Sequence, residues 1–104
     1  MRVEWTDQAK EGRKKVADYI RNRFGLRHKK EFIQEVHNTV KLLLRNPNLG
    51  PIDPLFTDRR IAYRSTIVNG LSKMVYFIDG DTIYIAAFWD TRQEPEAQAA
   101  QVKE

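Results

Sequence analysis

The segment YRSTIVNGLSKMVYFIDGDTIYIAAFWD, residues 63–90, decides the fold. It holds three runs rich in β-branched and aromatic residues. Asn69-Gly70 and Asp79-Gly80 separate these runs, and both dipeptides are typical of two-residue hairpin turns. The pattern therefore predicts a three-strand antiparallel meander that starts near residue 59 and ends at Trp89.

Two-residue turns would also fix which side chains share a face, because side chains alternate across a strand. One predicted face is nearly all apolar and should pack on helices: Ile61, Tyr63, Ile67, Met74, Tyr76, Ile78, Ile83, Ile85 and Trp89. The other mixes cations with large apolar side chains: Arg64, Thr66, Val68, Leu71, Lys73, Val75, Phe77, Tyr84 and Phe88. We interpret this mixed face as a partner surface. The alternative is that the C-terminal tail folds back and covers it.

Working towards the N-terminus, the chain predicts two helices and one more strand. Residues 2–5 alternate between polar and apolar and predict a short edge strand. Thr6-Asp7 supplies a cap for a helix that Gly25 ends, and an apolar stripe predicts a second helix over about 27–45. Because only a residue or two join them, the helices should form an antiparallel hairpin. Turn-forming residues mark 46–58 as an irregular loop.

The predicted order is β-α-α-β-β-β, an α+β fold in which a helical hairpin packs on one face of a small antiparallel sheet. Residues 1–92 form one domain in this interpretation, as expected for 104 residues. Residues 93–104 are a polar, alanine-rich tail, either frayed or a short helix that begins at Pro95.

Composition excludes several classes of function. The chain has no cysteine, which rules out disulfides and thiolate metal sites. It lacks a signal peptide and any membrane-spanning run, so we expect a soluble cytoplasmic protein with no membrane partner. No cluster of His, Asp and Glu has ligand spacing, so no metal or organic cofactor is expected. His28 and His37, the two histidines, are interpreted as surface residues of the second helix.

Charge is spread unevenly along the chain. Residues 1–45 hold 12 Lys and Arg against 6 Asp and Glu, whereas residues 46–104 hold 6 against 8. A basic half can steer a protein towards nucleic acid, ribosomes or an acidic protein. A solvated helix surface is the simpler explanation.

The ordered set of segments resembles the RelE/ParE toxin superfamily over about residues 2–92. The segments that carry the resemblance are Val3 to Thr6, Ala17 to Ile20, Leu43 to Gly50 (LLRNPNLG), Tyr63-Arg64, Met74 to Phe77, Ile83 to Phe88 and Asp90 to Pro95. The resemblance is closer to ParE than to RelE. It implies a toxin of a type II toxin–antitoxin module, used in plasmid stabilization among other settings.

The resemblance implies a small cognate antitoxin that wraps the toxin. On the mixed face, we expect the antitoxin to contact Val68, Leu71, Val75, Phe77, Tyr84 and Phe88. DNA would be contacted only indirectly, through the antitoxin. ParE-like members inhibit DNA gyrase by binding, whereas RelE-like members cut mRNA on the ribosome.

The residues present favour the ParE-like activity. By position, Arg64 and Arg92 match basic residues of the family, and with Arg60 and Lys73 they are the predicted target-binding residues. Cleavage of RNA would need groups that activate the 2′-OH and protonate the leaving oxygen. Many RelE-like nucleases place a Tyr or His shortly after the position of Arg92, and this chain has neither there.

Two alternatives remain open at this point. In a RelE-like endoribonuclease that acts on ribosome-bound mRNA, Arg64, Lys73, Tyr84 and Arg92 would be the catalytic candidates. In a degenerate relative, the same fold would be a non-toxic interaction module. The ParE-like toxin is not an enzyme, whereas the RelE-like toxin is one.

Overall fold

The computed structural model describes residues 1–92 and 95–102. The elements follow the predicted order, with a third helix after the sheet. In chain order they are β1 (Arg2–Trp5), α1 (Asp7–Phe24), α2 (Leu26–Arg45), β2 (Arg64–Val68), β3 (Ser72–Asp79), β4 (Thr82–Asp90) and α3 (Pro95–Gln101), and a 3₁₀ turn covers Pro54–Phe56. The predicted α+β class is confirmed.

The helical hairpin forms as the capping residues predict. The Thr6 hydroxyl accepts a hydrogen bond from the Ala9 backbone N–H at 3.1 Å, which caps the start of α1. Gly25 alone joins α1 to α2 and has a φ of 98°, a conformation that favours glycine. Its N–H donates to the carbonyl of Arg21, which ends α1. One residue is thus enough to reverse the chain.

The sheet has the strand order β1-β4-β3-β2. The meander is antiparallel, and β1 lies at an edge as predicted. However, β1 pairs with β4 in parallel, so the sheet is mixed rather than wholly antiparallel. A parallel pair is joined through a long crossover and leaves no local turn signal, which is why the sequence did not reveal its direction.

The first hairpin turn has three residues and not the predicted two. Val68 pairs with Ser72, so Asn69, Gly70 and Leu71 all lie outside the ladder. Thr91, just beyond β4, holds the Leu71 carbonyl through its N–H at 2.8 Å and its hydroxyl at 2.9 Å. The register therefore shifts by one residue, and every side chain of β2 changes face.

A bulge in β4 changes the faces a second time. Tyr76 pairs with Ile85 and Val75 pairs with Ala87, which leaves Ala86 as the extra residue. Beyond the bulge, Phe88 turns towards the helices and Trp89 turns away from them. Asp79 pairs with Thr82, a shift of two residues from the predicted register that leaves the faces unchanged.

Much of each face of the sheet is buried. The helix face includes Val68 and Phe88, whereas Ile61, Tyr63 and Trp89 pack in a second cluster on the opposite face. Phe56 and Val102 cover that second cluster. The prediction of an exposed mixed face is wrong where the 3₁₀ turn and the C-terminal residues Ala99 and Val102 pack against the sheet, so the alternative in which the tail covers this face holds in part.

Gly12 brings α1 unusually close to the sheet. A Cβ atom built on Gly12 would lie 1.9 Å from the carbonyl oxygen of Phe88 in β4. Only glycine permits this approach, because real Cβ atoms do not come within 3.0 Å of another heavy atom. Gly12 therefore sets the distance between the hairpin and the sheet.

Within residues 1–92 and 95–102, no helix combines the length and the hydropathy that a bilayer crossing requires.

Candidate binding site

Arg64 is engaged in ordering the loop after α2. Its Nη1 donates to the Gly50 carbonyl at 2.9 Å. The Tyr76 hydroxyl accepts from the Gly50 N–H at 2.9 Å and donates to the Pro47 carbonyl at 2.8 Å. Burial raises the pKa of Tyr76, which keeps the phenol protonated and able to donate. The Asn-Pro-Asn-Leu-Gly segment is thus held by Tyr76 and Arg64.

Lys73 lies on the opposite face of the sheet and neutralises a buried carboxylate. Its Nζ lies 2.5 Å from Oδ2 of Asp53, whose side chain is only 2% exposed. The other carboxylate oxygen accepts the N–H of Leu55 at 2.9 Å and caps the 3₁₀ turn. The Phe56 ring packs over the ammonium group with its centroid 5.9 Å away. Lys73 therefore serves the fold at this position.

The predicted antitoxin-binding residues separate into three groups by exposure. Val68, Val75 and Phe88 are at most 1% exposed and belong to the core, so they present no surface. Tyr84 and Phe77 are half-buried and stack with ring centroids 5.2 Å apart. Leu71 is 53% exposed.

Arg92 is an exposed cation with a fixed direction. Its guanidinium donates to both carboxylate oxygens of Asp90, at 3.0 Å from Nε to Oδ1 and 2.5 Å from Nη2 to Oδ2. The group also lies 5.7 Å from the centroid of the Tyr19 ring. Hydrogen bonds from Arg92 hold the pKa of Asp90 below its usual range. The side chain of Arg92 nevertheless remains 59% exposed.

Arg92 lines a groove of about 270 Å³ between the helical hairpin and the end of the sheet. Three exposed apolar side chains stand around the groove: Tyr19 (45% exposed), Phe24 (56%) and Leu71 (53%). His28, Glu31 and Glu35 of α2 add polar groups to its wall. Of the predicted site residues, only Leu71 and Arg92 line this groove.

Sequence reasoning missed Tyr19, Phe24 and Asp90 as components of a site. Phe24 follows Val16 and Ile20 at four-residue spacing, but it is the last residue of α1, at the hairpin tip, and is 56% exposed. Asp90 is the last residue of β4, and a carboxylate two residues before an exposed Arg was an available signal for an ion pair. Arg60, a predicted target-binding residue, is exposed in the segment before β2 and outside the groove lining.

Within the described part of the chain, no group of three or more His, Asp or Glu side chains is arranged to hold a metal ion. The groove is thus built from apolar side chains, one ion pair and scattered polar groups.

Comparison with known proteins identifies the family. The sequence model of the ParE toxin of the type II toxin–antitoxin system parDE matches residues 3–95. The chain belongs to the ParE toxin family. A solved structure described as the chromosomal ParDE TA system from P. aeruginosa has a TM-score of 0.70 and 19% sequence identity, and the match covers 86% of this chain and 95% of that chain. This likeness supports the fold. No curated protein sequence matches the chain.

In this ParE-family chain, three of the four nuclease candidates are held apart. Arg64 and Lys73 lie on opposite faces of the sheet. Tyr84 lies five positions along β4 from Trp89, the pairing partner of Lys73, a separation of roughly 16 Å. Arg92 follows the end of β4 and is bound to Asp90. Cleavage of RNA needs an acid, a base and cations at one phosphate, and Arg64, Lys73 and Tyr84 do not meet at one point.

Proposed function

We propose that this ParE-family chain is a toxin that inhibits DNA gyrase by binding it, and that a cognate antitoxin neutralises the toxin. Family membership over residues 3–95 supports the toxin assignment. The ParDE name of the P. aeruginosa neighbour supports a paired antitoxin. A gyrase-directed toxin acts in the cytoplasm, where its target is.

The observation that carries the target proposal is the setting of Arg92. Arg64 and Lys73 are engaged by Gly50 and Asp53, whereas Arg92 projects from the groove with more than half of its side chain exposed. Asp90 and the Tyr19 ring hold its guanidinium in place before any partner arrives. A preorganised arginine loses less conformational entropy on binding than a flexible one, which suits it to anchor an interface.

The apolar rim of the same groove suits the antitoxin. Tyr19, Phe24 and Leu71 are exposed beside Arg92, and an amphipathic segment of a partner protein could bury all three. An antitoxin bound there would also cover Arg92 and so block the proposed contact with gyrase. Of the antitoxin contacts predicted from the sequence, this proposal keeps Leu71. The buried residues Val68, Val75 and Phe88 are replaced as contacts by Tyr19 and Phe24 of the groove rim.

A gyrase supercoiling assay with the purified chain tests the proposal. We expect inhibition by the wild-type chain, and we expect Arg92→Ala to raise the inhibitory concentration about tenfold or more, which corresponds to about 1.4 kcal/mol. Arg45→Ala is the matched control, since it removes an exposed arginine at the far end of α2. The control should inhibit as the wild type does.

Two results would contradict the proposal in different ways. Absence of inhibition by a folded chain in large molar excess would reject gyrase as the target and direct attention to mRNA on the ribosome. Equal inhibition by the wild type and Arg92→Ala would keep gyrase but remove Arg92 from the interface.

A further inference from the structure

The outer surface of the helical hairpin carries a dense set of cations. On α1, Lys10, Lys14 and Arg21 are spaced by four and seven residues, which places them on one side of the helix. On α2, the cations are Lys29, Lys30 and Lys41. We call the surface formed by these six residues the basic face. Five of the six are exposed, and Lys29 is half-buried between the helices.

The two helices bring three of these cations together around one carboxylate. Lys14 and Arg21 of α1 and Lys29 of α2 all act on the carboxylate of Asp18 and lower its pKa. Asp18 pairs with Lys14 at 2.9 Å. The other helix carboxylates that form ion pairs, Glu11 and Glu31, are bound to Lys15 and Arg27 outside the basic face. Two carboxylates of α1, Asp18 and the exposed Asp7, therefore share this surface with six cations.

The dimensions of the basic face match a duplex. Lys10 to Arg21 and Lys30 to Lys41 each span eleven residues, a rise of about 16 Å. Packed helices lie about 8–10 Å apart, so the cations form two rows on a rigid support. About 16 Å of duplex DNA presents roughly nine phosphate charges over its two strands. Single-strand binders add aromatic side chains on which bases stack, and the basic face contains none.

We propose that the basic face binds the phosphate backbone of duplex DNA without sequence preference. This differs from the sequence-based expectation that DNA is contacted only through an antitoxin. The inference does not rest on gyrase inhibition, because the basic face and the groove are lined by different residues. In a toxin that binds gyrase, such a surface would contact the DNA that the enzyme holds.

Fluorescence anisotropy of a labelled 24-base-pair duplex, titrated with the purified full chain, tests this. At 50 mM salt we expect micromolar affinity. The logarithm of the association constant should fall with the logarithm of salt concentration with a slope of about −4.5 if five phosphates are neutralised. In Lys30→Glu/Lys41→Glu, the affinity should fall at least tenfold and the slope should weaken by about two.

The control variant is Lys15→Glu/Arg23→Glu. It changes the net charge from +4 to 0, as the test variant does, because each substitution removes two charges. Arg23 lies two residues from Arg21 and so points away from the basic face. We expect the control to retain affinity within about threefold. Circular dichroism and thermal melting establish that both variants are folded.

Three outcomes would overturn the proposal. The first is no anisotropy change with the folded wild-type chain at 50 mM salt and 100 μM protein, about the weak end of non-specific affinities. The second is an equal loss in both double variants, which would mean that net charge and not the basic face governs binding. The third is tighter binding of polyglutamate than of duplex DNA at equal charge, which would assign the basic face to an acidic protein.

Discussion

At the scale of single residues, hydrogen bonds decide which cations are available to a partner. Arg64 donates to a backbone carbonyl and Lys73 pairs with a carboxylate that is nearly inaccessible to solvent. Arg92 is also paired, but its partner Asp90 lies at the surface and the guanidinium stays exposed. The same residue type therefore serves the fold at Arg64 and is available for binding at Arg92.

The first residue-scale prediction concerns the titration of Asp90. Because hydrogen bonds from Arg92 lower the pKa of Asp90, the pair stabilises the folded chain above about pH 4, and that stabilisation is lost as pH falls through the folded-state pKa. Arg92→Ala should raise the Asp90 pKa towards its ordinary value, as measured by carboxyl ¹³C NMR. Arg45→Ala should leave it unchanged. An unchanged Asp90 pKa in Arg92→Ala would show that the ion pair does not form in solution.

The second residue-scale prediction concerns the Tyr76 hydroxyl. Tyr76→Phe leaves the buried Gly50 N–H and the Pro47 carbonyl without their partner, so the free energy of unfolding should fall by about 1–3 kcal/mol. Urea denaturation measures this change. Tyr84→Phe is the control, and its stability should stay within about 0.5 kcal/mol of the wild type. Equal stability of Tyr76→Phe and the wild type would mean that water replaces the hydroxyl.

At the scale of elements, local signals predicted what exists but not which way it faces. The helices, Gly25 and the three meander strands follow from periodicity and capping, which act within a few residues. The extra residue at Leu71 and the bulge at Ala86 depend on contacts that are distant in sequence, such as Thr91 with Leu71. Each one-residue shift moves the side chains of a strand segment to the other face of the sheet. This is why Val68 and Phe88 were assigned to the wrong face.

Site prediction failed at this same scale. A groove needs two elements, and the position of Phe24 in the sequence of α1 does not reveal that its side chain is 56% exposed and lines a groove with the sheet. Arg92 and Leu71 were predicted individually, but their proximity depends on the three-residue turn. Tertiary contacts rather than local propensity therefore built the candidate site.

An element-scale prediction tests the close contact between α1 and β4. Gly12→Ala places a methyl group against the Phe88 carbonyl, so α1 must move away from the sheet. In an open helix the same change would stabilise the protein by about 0.5–1 kcal/mol. Here we expect a loss of about 2–3 kcal/mol in urea denaturation. Asn22→Ala, on the exposed side of α1, should stay within about 0.5 kcal/mol. A stabilised Gly12→Ala variant would disprove the close approach.

At the scale of the whole molecule, one small sheet carries two hydrophobic clusters. The helical hairpin covers one face, and the 3₁₀ turn with the C-terminal segment covers the other. The surfaces that we propose for partners therefore lie away from the two faces of the sheet. They are the groove at the hairpin tip and the basic face on the outer side of the helices. An antitoxin bound in the groove would leave the basic face open. The chain could therefore bind the antitoxin and duplex DNA at the same time.

The prediction at this scale is that an antitoxin binds the groove end of the molecule. Leu71→Glu places a charge on the groove rim without disturbing the core, since the side chain is 53% exposed. We expect it to weaken the antitoxin complex at least tenfold in calorimetric titration, because burying an unpaired carboxylate is costly. Ile67→Glu is matched in exposure at 53% but lies in β2 on the opposite face, and it should change the affinity by less than about threefold. If Ile67→Glu weakened the complex as much as Leu71→Glu, the antitoxin would bind the edge of the sheet instead.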